Sequence, residues 1–523
     1  MFRKFLGDRR GNVAMLFGLT AVPVVFAVGA GVDLAEAVSA KQRAQIALDA
    51  AALAANTKTF GLSADAISHR ARVAFDANFT AQEAAVTRFQ AVSDGEGTVE
   101  LTASVSVPTS FAPMIGIDQF TFDIVSETRV GEASFDVVMV LDNSGSMGGS
   151  KIETLKVSAK DLAATLLDAN SAGTMADRVK IGIVPFTAFV NVGADNASAN
   201  WLDVNGLSPL NANNMDTSSV SRLSLFDQIS GVSWQGCVEA RPYPYDVNDS
   251  PASDADPQSL FVPQFAPDEP DEGGYYSWGN WHSYRYSNNW IDDDGGSCST
   301  SISDIGETGH NLKQKRVCKY NNASLSTWDN GVSKGPNYGC KTQAVTPLTT
   351  SRSTLENAVN AMVADGYTNI HQGVVWGWRA LSPQEPFAGG RPTGDPAYPG
   401  HRRIMILMTD GANTYEWYDR NPNTSKYNAY GYVREGRAGT TSSSSVVHST
   451  MNARTAEACA NAKELGDVEI YTIAFQVSDQ NTIDMLKDCA TKASMAYKSE
   501  SNSELTIAFS QIAKEITRLR VSR

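Results

Sequence analysis

Residues 135–146 read Phe-Asp-Val-Val-Met-Val-Leu-Asp-Asn-Ser-Gly-Ser, an apolar run that ends in an Asp-x-Ser-x-Ser loop at Asp142, Ser144 and Ser146. The run is nearly free of polar residues and rich in β-branched ones, which predicts a buried strand. After it, Gly145 lets the backbone bend, so that two hydroxyls and a carboxylate can face one point. The stretch therefore predicts a strand followed by a polar binding loop.

Two further polar residues follow the same pattern far downstream. Thr368 lies in Gly366-Tyr367-Thr368, between two helical patterns, and Asp410 follows the apolar run Ile404–Met408. Hydroxyl, carboxylate and water oxygens suit a hard divalent cation. We therefore predict one metal site of five residues, with Mg²⁺ as the ion and Mn²⁺ or Ca²⁺ as alternatives. Its members are Asp142, Ser144, Ser146, Thr368 and Asp410.

Strand and helix patterns alternate along the carboxyl-terminal part of the chain. Residues 179–186 and 468–475 read as buried strands, 353–363 and 370–381 as helices, and a helix capped by Ser503 closes the chain. Such alternation predicts an α/β fold, with a Rossmann-like, mainly parallel sheet covered by helices on both faces. Ligands of such folds bind at the carboxyl ends of the strands, which is where the predicted metal site falls.

This combination resembles the von Willebrand factor A domain, and the resemblance covers much of the region after Glu132. Its metal-ion-dependent adhesion site (MIDAS) uses these residue types in this order. The resemblance implies that Ser144, Ser146 and Thr368 are direct ligands, whereas Asp142 and Asp410 act through water. It also implies a protein partner that offers an acidic side chain to the metal.

The amino end has the pattern of a membrane anchor. An uncharged stretch occupies residues 13–32, and roughly 20 residues at about 1.5 Å each cover a bilayer core. Basic residues precede it at Arg3, Lys4, Arg9 and Arg10. The basic side stays cytoplasmic, so we expect residues 1–12 to form a cytoplasmic tail and the body from Asp33 onward to be exported. A signal peptide cleaved near Ala35-Glu36-Ala37 is the alternative.

The same segment resembles the start of TadE/TadG-like proteins of Tad (Flp-type) pilus assembly. Arg10-Gly11-Asn12-Val13-Ala14, the apolar span and the Ala-rich run Leu48–Ala55 carry this resemblance. It implies a pilin-like helix extension over residues 33–60 and a place in the bacterial inner membrane. One departure is Leu16, which stands where prepilin processing would want a Glu.

Two other regions complete the predicted organisation. Residues 61–131 are predicted as a small α+β module with strands at 98–107 and 120–125, serving as a spacer or as a docking surface. The A domain, residues 132–523, is predicted to carry insertions at about 195–344 and 413–447. Both insertions are rich in aromatic residues, which serve either recognition or internal packing. The second contains Tyr415, Trp417, Tyr418, Tyr427, Tyr430 and Tyr432.

Composition agrees with an exported body that does not bind nucleic acid. The net charge of −14 offers no basic face to phosphates. The six cysteines are compatible with disulfides outside the cytoplasm. We expect Cys459 to pair with Cys489, because they lie on the helical patterns that flank strand 468–475. The other four cysteines fall within the first insertion and are expected to staple it.

No catalytic motif stands out, since the six histidines are scattered and no nucleophile elbow or phosphate loop is present. His371, at a helix start, is expected to be a surface or capping residue. The leading hypothesis is a non-enzymatic Tad pilus assembly protein of the inner membrane, whose periplasmic A domain binds a pilus or secretion component through the metal. The alternative is an adhesin at the cell surface or pilus tip that binds an extracellular protein or glycan.

Overall fold

The computed structural model describes residues 11–56, 64–79, 84–93, 98–129, 134–168, 170, 177–217, 220–302, 309–398, 400–416 and 421–518. The described residues form two compact units, one within Met1–Gly131 and the other within Glu132–Asn170 and Asp177–Thr517. The predicted basic residues Arg3, Lys4, Arg9 and Arg10 lie outside the described residues, as do Trp417 and Tyr418.

The first unit is built on one long helix, α1 (Gly11–Asn56), so the predicted span and its extension are continuous. A second helix, α2 (Ala64–Asn78), is followed by an antiparallel sheet of β1 (Ala85–Ser93), β2 (Thr98–Pro108) and β3 (Gln119–Arg129). Alanines along the carboxyl-terminal half of α1 pack with sheet residues in one core. Among the described residues, α1 is the one helix long and apolar enough to cross a membrane.

The second unit contains one large mixed sheet in the order β15-β14-β13-β4-β5-β6-β8, with β12 beside β5. Five strands run parallel: β4 (Phe135–Asp142), β5 (Val179–Phe186), β13 (Arg402–Thr409), β14 (Val468–Phe475) and β15 (Ala496–Ser499). Three short strands each pair antiparallel with a neighbour: β6 (Val190–Asn191) with β5, β8 (Cys237–Val238) with β6, and β12 (Thr346–Thr349) with β5. The sheet is therefore mixed, whereas the sequence predicted a mainly parallel one. The short strands were not predicted because strands of two to four residues give no periodic signal.

Helices cover both faces of this sheet, as expected for an α/β fold. Helices α3 (Ser150–Leu167), α6 (Arg352–Ala361) and α10 (Asn502–Arg518) share a core with Val137, Met139 and Leu141 of β4. Helices α7 (Ile370–Leu381), α8 (Ser444–Glu464) and α9 (Gln480–Cys489) share the opposite core with Val138 and Val140. Successive side chains of β4 thus alternate between two buried faces, which explains its continuous apolar sequence.

The segment between β8 and β12 contains short elements held together by disulfides. These are β9 (Gly274–Ser277), β10 (Asn280–Ser283), α5 (His310–Lys315) and β11 (Ala323–Ser324). Before β8 lie α4 (Arg222–Phe226) and β7 (Ile229–Ser230). The disulfides are Cys237–Cys340 and Cys298–Cys318, and a third joins Cys459 of α8 to Cys489 of α9.

Two local predictions are corrected, and one strand was not predicted. Strand β1 gave no sequence prediction, since a bulge between Val86 and Arg88 interrupts its alternation. Strand β3 extends beyond the predicted 120–125. The last helix is capped by Ser501, whose Oγ accepts the backbone N–H of Glu504 at 3.3 Å, rather than by Ser503.

Candidate metal centre

Neighbouring strands bring the first two predicted loops to one edge of the large sheet. Strand β13 runs parallel to β4, with Met408 opposite Leu141. Each strand then ends in an aspartate loop, so Asp142 and Asp410 follow paired positions. Because parallel strands end at the same edge, residues 259 or more positions apart in sequence come together there.

Hydrogen bonds fix the carboxylates within these loops. Oδ1 of Asp142 accepts the backbone N–H of Ser144 at 2.8 Å, and its Oδ2 accepts the Thr409 hydroxyl at 2.6 Å. The Ser146 hydroxyl donates to Oδ1 of Asp410 at 2.5 Å and lies 3.0 Å from the Ser144 hydroxyl. Two carboxylates and two hydroxyls therefore form one connected cluster.

The Thr368 loop is tied to both of the other loops. The N–H of Gly145 donates to the carbonyl of Gly366 at 2.9 Å, in a turn where Gly366 has a φ of 85°. Thr368 N–H donates to the Thr414 hydroxyl at 2.8 Å, and Thr414 follows Asp410 in the third loop. The structure thus places all five predicted residues in three hydrogen-bonded loops at one sheet edge.

The electrostatics of the cluster favour a cation. Asp142 is fully buried, and burial followed by the charge of Asp410 raises the pKa of Asp142 to about 6. Two nearby carboxylates with little solvent repel each other, and a divalent ion would relieve that repulsion. Ser144 and Thr368 are also buried, while Ser146 is exposed, so the cluster opens to solvent on one side.

The donor set also fits a hard ion. No cluster of three or more His, Cys, Asp or Glu side chains with metal-binding geometry occurs among the described residues. The cluster at the sheet edge instead combines two carboxylates with the hydroxyls of Ser144 and Ser146, which are oxygen donors that Mg²⁺, Mn²⁺ or Ca²⁺ accept, and the Thr368 loop adjoins it. These residues would hold such an ion, and only two of them, Asp142 and Asp410, are charged.

Sequence reasoning missed one charged neighbour of the cluster. The ammonium of Lys151, in the first turn of α3, lies 2.7 Å from Oδ2 of Asp410. The sequence shows a basic residue, Lys151, five positions after Ser146. Its pairing with Asp410 could be found only from the fold. Thr409 and Thr414, which hold Asp142 and Thr368, were missed for the same reason.

A cavity of about 290 Å³ opens beside Gly145 and Gly366. Tyr338 from the first predicted insertion and Tyr427 from the second line it, together with Tyr367. Two lysines reach it but are paired: Lys341 with Asp365 at 2.7 Å, and Lys426 with Glu416 at 2.8 Å. The cavity is therefore a partly aromatic, charge-balanced cleft next to the candidate metal centre.

The aromatic residues of the two insertions behave differently. In the second, Tyr415, Tyr427, Tyr430 and Tyr432 are buried and pack in one core with Phe189. In the first, the β9–β10 hairpin exposes Tyr276, Trp281 and Trp278, the last completely. Packing thus accounts for the described tyrosines of the second segment, while the hairpin presents an aromatic surface.

His371 is buried rather than at the surface, which corrects the prediction. Its Nδ1 lies 2.5 Å from the Tyr430 hydroxyl, and burial lowers its pKa to about 3. Tyr430, from the second predicted insertion, covers the start of α7, and the helix pattern alone gave no sign of that cover. A neutral, enclosed imidazole there contributes to packing.

The amino-terminal segment matches a known protein family. Residues 11–66 match the family of TadE/G-like Flp pilus-assembly proteins. No curated protein matches the chain. The match covers the whole of α1 and confirms the resemblance drawn from the amino-terminal sequence.

Solved structures similar to the chain include three with von Willebrand or pilus descriptions. The vWF domain of the type V pili tip protein Mfa5 from Porphyromonas gingivalis is 12% identical, with 75% of this chain and 97% of that chain covered and a TM-score of 0.33. The pilus adhesin SpaC from Lactobacillus rhamnosus GG is 12% identical, with 84% of this chain and 35% of that chain covered and a TM-score of 0.31. A von Willebrand factor type A protein from Catenulispora acidiphila is 10% identical, with 83% of this chain and 51% of that chain covered and a TM-score of 0.27.

The chain thus spans about a third of the length of SpaC and about half of the Catenulispora protein. The amino-terminal segment of this chain is TadE/G-like, and the solved structures similar to the chain include von Willebrand A domains of pilus proteins.

Proposed function

We propose that this chain is a Tad-type pilus assembly protein, anchored in the inner membrane by α1, whose exported body binds a protein partner through a divalent metal. The observation that carries the proposal is the cluster of Asp142, Ser144, Ser146, Thr368 and Asp410 at one sheet edge. A TadE/G-like amino terminus on the same chain supplies the pilus context.

The binding step follows from the donor set. Hydroxyls and water-mediated carboxylates leave a bound Mg²⁺ or Mn²⁺ electrophilic, so that an acidic side chain from a partner can complete its coordination. The exposed Ser146 marks the open side. The adjacent cleft of Tyr338, Tyr367 and Tyr427 offers aromatic contact area for the residues next to that acidic side chain.

Three disulfides support an extracytoplasmic body, because cytosolic thiols are kept reduced. Residues 1–12 would then lie in the cytoplasm and the second unit in the periplasm. The proposed role is binding, because a metal held by these residues would keep an open coordination position for a partner's acidic side chain.

Isothermal titration with Mg²⁺ and Mn²⁺ tests the metal step. Wild-type protein should bind one ion per chain, and Thr368→Ala should bind it more weakly with its fold intact. A Thr414→Ala variant, which changes the hydroxyl behind Thr368, should retain more affinity. Equal affinity in wild type and Thr368→Ala would remove Thr368 from the site.

A second function is favoured by one observation, the exposed aromatic hairpin. Tyr276, Trp278 and Trp281 present the kind of surface that binds proteins or sugars. On this alternative the protein is an adhesin at the cell surface or pilus tip. Replacing all three residues with serine should then abolish attachment to a surface while leaving pilus number unchanged, whereas an assembly protein should keep its attachment.

A further inference from the structure

The loop between β2 and β3 is an apolar surface within the first unit. It contains Phe111, Met114, Ile115 and Ile117, whose side chains are 44%, 71%, 61% and 38% exposed. No charged residue occurs from Thr109 to Ile117. Single exposed apolar residues are ordinary, but four within seven positions form a patch that needs a partner.

The patch is presented by a well-formed loop. Residues Ala112–Ile115 form a turn of 3₁₀-helix, which Gly116 ends in the left-handed region at a φ of 85°. Thr109 closes the loop through its hydroxyl, which donates to the carbonyl of Ile117 at 2.6 Å. The exposed side chains are thus held out by a fixed backbone.

Asp33 fixes this loop to α1. Its carboxylate accepts the backbone N–H groups of Ser110, Phe111 and Ala112 at 3.0, 2.8 and 2.7 Å. One turn earlier in α1, a Cβ at Gly29 would lie 2.6 Å from Cγ of Phe111, so the ring packs directly on the helix backbone. The loop therefore lies beside residues 29–33, where the uncharged stretch of α1 ends.

Contacts between α1 and β3 show in which direction the sheet runs along α1 from residues 29–33. Lys41 lies over the ring of Phe122 at 5.4 Å, and Gln45 donates to the carbonyl of Val125 at 2.9 Å. Further on, the Thr128 hydroxyl donates to the carbonyl of Ala52 at 3.2 Å. Strand β3 thus follows α1 away from the uncharged stretch, and the β2–β3 loop is the part of the sheet next to it.

We propose that the β2–β3 loop is a second membrane contact, which inserts Phe111, Met114 and Ile115 into the lipid surface around the end of the α1 span. The proposal rests on the anchoring of α1 and is independent of the metal centre. Val25, Val28 and Val32 of α1 are also exposed, so one apolar environment covers the span and the adjoining loop together. Uncharged apolar side chains at the level where a span ends suit the boundary of the acyl chains.

Two anchoring points would restrain α1 more than a single helix does. Asp33 satisfies three backbone donors of the loop, so the loop enters the interface without exposing those groups to lipid. A helix held by a flanking loop cannot freely tilt or rotate about its axis. The first unit would then have a defined orientation on the membrane.

Spin labels in the full-length chain, reconstituted in phosphatidylcholine–phosphatidylglycerol vesicles, test this placement. All six cysteines are in disulfides, so Met114→Cys can be labelled selectively. Val25→Cys reports the span. Val92→Cys, at an exposed apolar residue of β1, reports the far end of the sheet. Collision with oxygen, which enters lipid, is compared with collision with a water-soluble nickel complex.

The label at Met114 should resemble the label at Val25, colliding several-fold more with oxygen than with nickel, whereas the label at Val92 should show the reverse. A Met114 label as nickel-accessible as the one at Val92 would overturn the proposal. Shielding from both reagents would also overturn it, because a protein would then cover the patch. A nickel-accessible label at Val25 would refute the anchor and the loop contact together, while leaving the metal proposal untouched.

Discussion

The ammonium group of Lys151 lies 2.7 Å from Oδ2 of Asp410, so a lysine of α3 and the candidate metal centre share one carboxylate. Asp410 is fully buried in its side chain, while Lys151 keeps 23% of its side chain exposed. A partly solvated ammonium group beside a buried carboxylate competes with any metal that needs that carboxylate. Lys151 would therefore weaken binding of the ion.

Lys151→Met should tighten Mn²⁺ binding. Removing a partly exposed ion pair of about 1 kcal/mol frees the carboxylate and corresponds to a roughly fivefold gain in affinity. Titration calorimetry measures the change. Lys156→Met is the matched control, since Lys156 lies on the same helix but pairs with Glu153. An affinity that falls in Lys151→Met would show that the lysine supports the site.

Asp142→Asn should lose metal affinity by at least about tenfold, because one of the two negative charges is removed. The variant keeps the size of the side chain and an oxygen that can accept the Ser144 N–H. Without metal it should be no less stable than wild type at pH 7, since the repulsion from Asp410 is relieved. Asp365→Asn, beside the site but paired with Lys341, is the control for calorimetry and thermal unfolding.

Both the strand and the loop at Asp142 could be predicted, because a strand buried on both faces has a continuous apolar sequence with a clear polar end. Thr368 and Asp410 could be associated with it only through their order along the chain. The partners of these residues, such as Lys151, depend on which strands are neighbours. That information is in the packing and not in local periodicity.

The wrong prediction for His371 has a similar cause. A helix-start histidine is ordinarily exposed, but here Tyr430, 59 positions later, covers the ring. The second insertion was recognised by composition alone, and composition does not say which helix it covers. The exposed hairpin of Trp278 was likewise not separable from packing aromatics before the fold was known.

His371 should make the protein less stable as the pH falls below 6.5. Burial lowers its pKa from 6.5 to about 3, so between these values the unfolded chain takes up a proton that the folded chain does not. The free energy of unfolding should then fall by up to about 1.4 kcal/mol per pH unit from this residue. Above pH 6.5 the contribution of His371 to the free energy of unfolding no longer changes with pH.

Urea unfolding at pH 7 and pH 5 measures that slope. His371→Asn, which can keep a hydrogen bond to Tyr430, should have a shallower slope than wild type. Identical slopes for wild type and His371→Asn would mean that burial does not lower the pKa of His371 in the folded protein.

The Cys298–Cys318 disulfide should stabilise its segment and not the sheet. The bond closes a loop with a sequence separation of 20, for which chain entropy gives about 3 kcal/mol. With both residues changed to serine, limited proteolysis should cut near 284–302 first. The double change Cys459→Ser with Cys489→Ser loosens α8 and α9 and should expose the sheet domain instead. Early cleavage of β4 or β13 in the first variant would contradict this division.

The most direct test of the account is a count of surface pili, with surface attachment measured alongside, in cells that carry wild type, Asp142→Asn, Asp365→Asn or a deletion of the gene. The account predicts that Asp142→Asn loses pili as the deletion does, while Asp365→Asn retains them. Normal pilus numbers in Asp142→Asn and in the deletion, with attachment lost, would contradict a role in assembly and identify the protein as an adhesin.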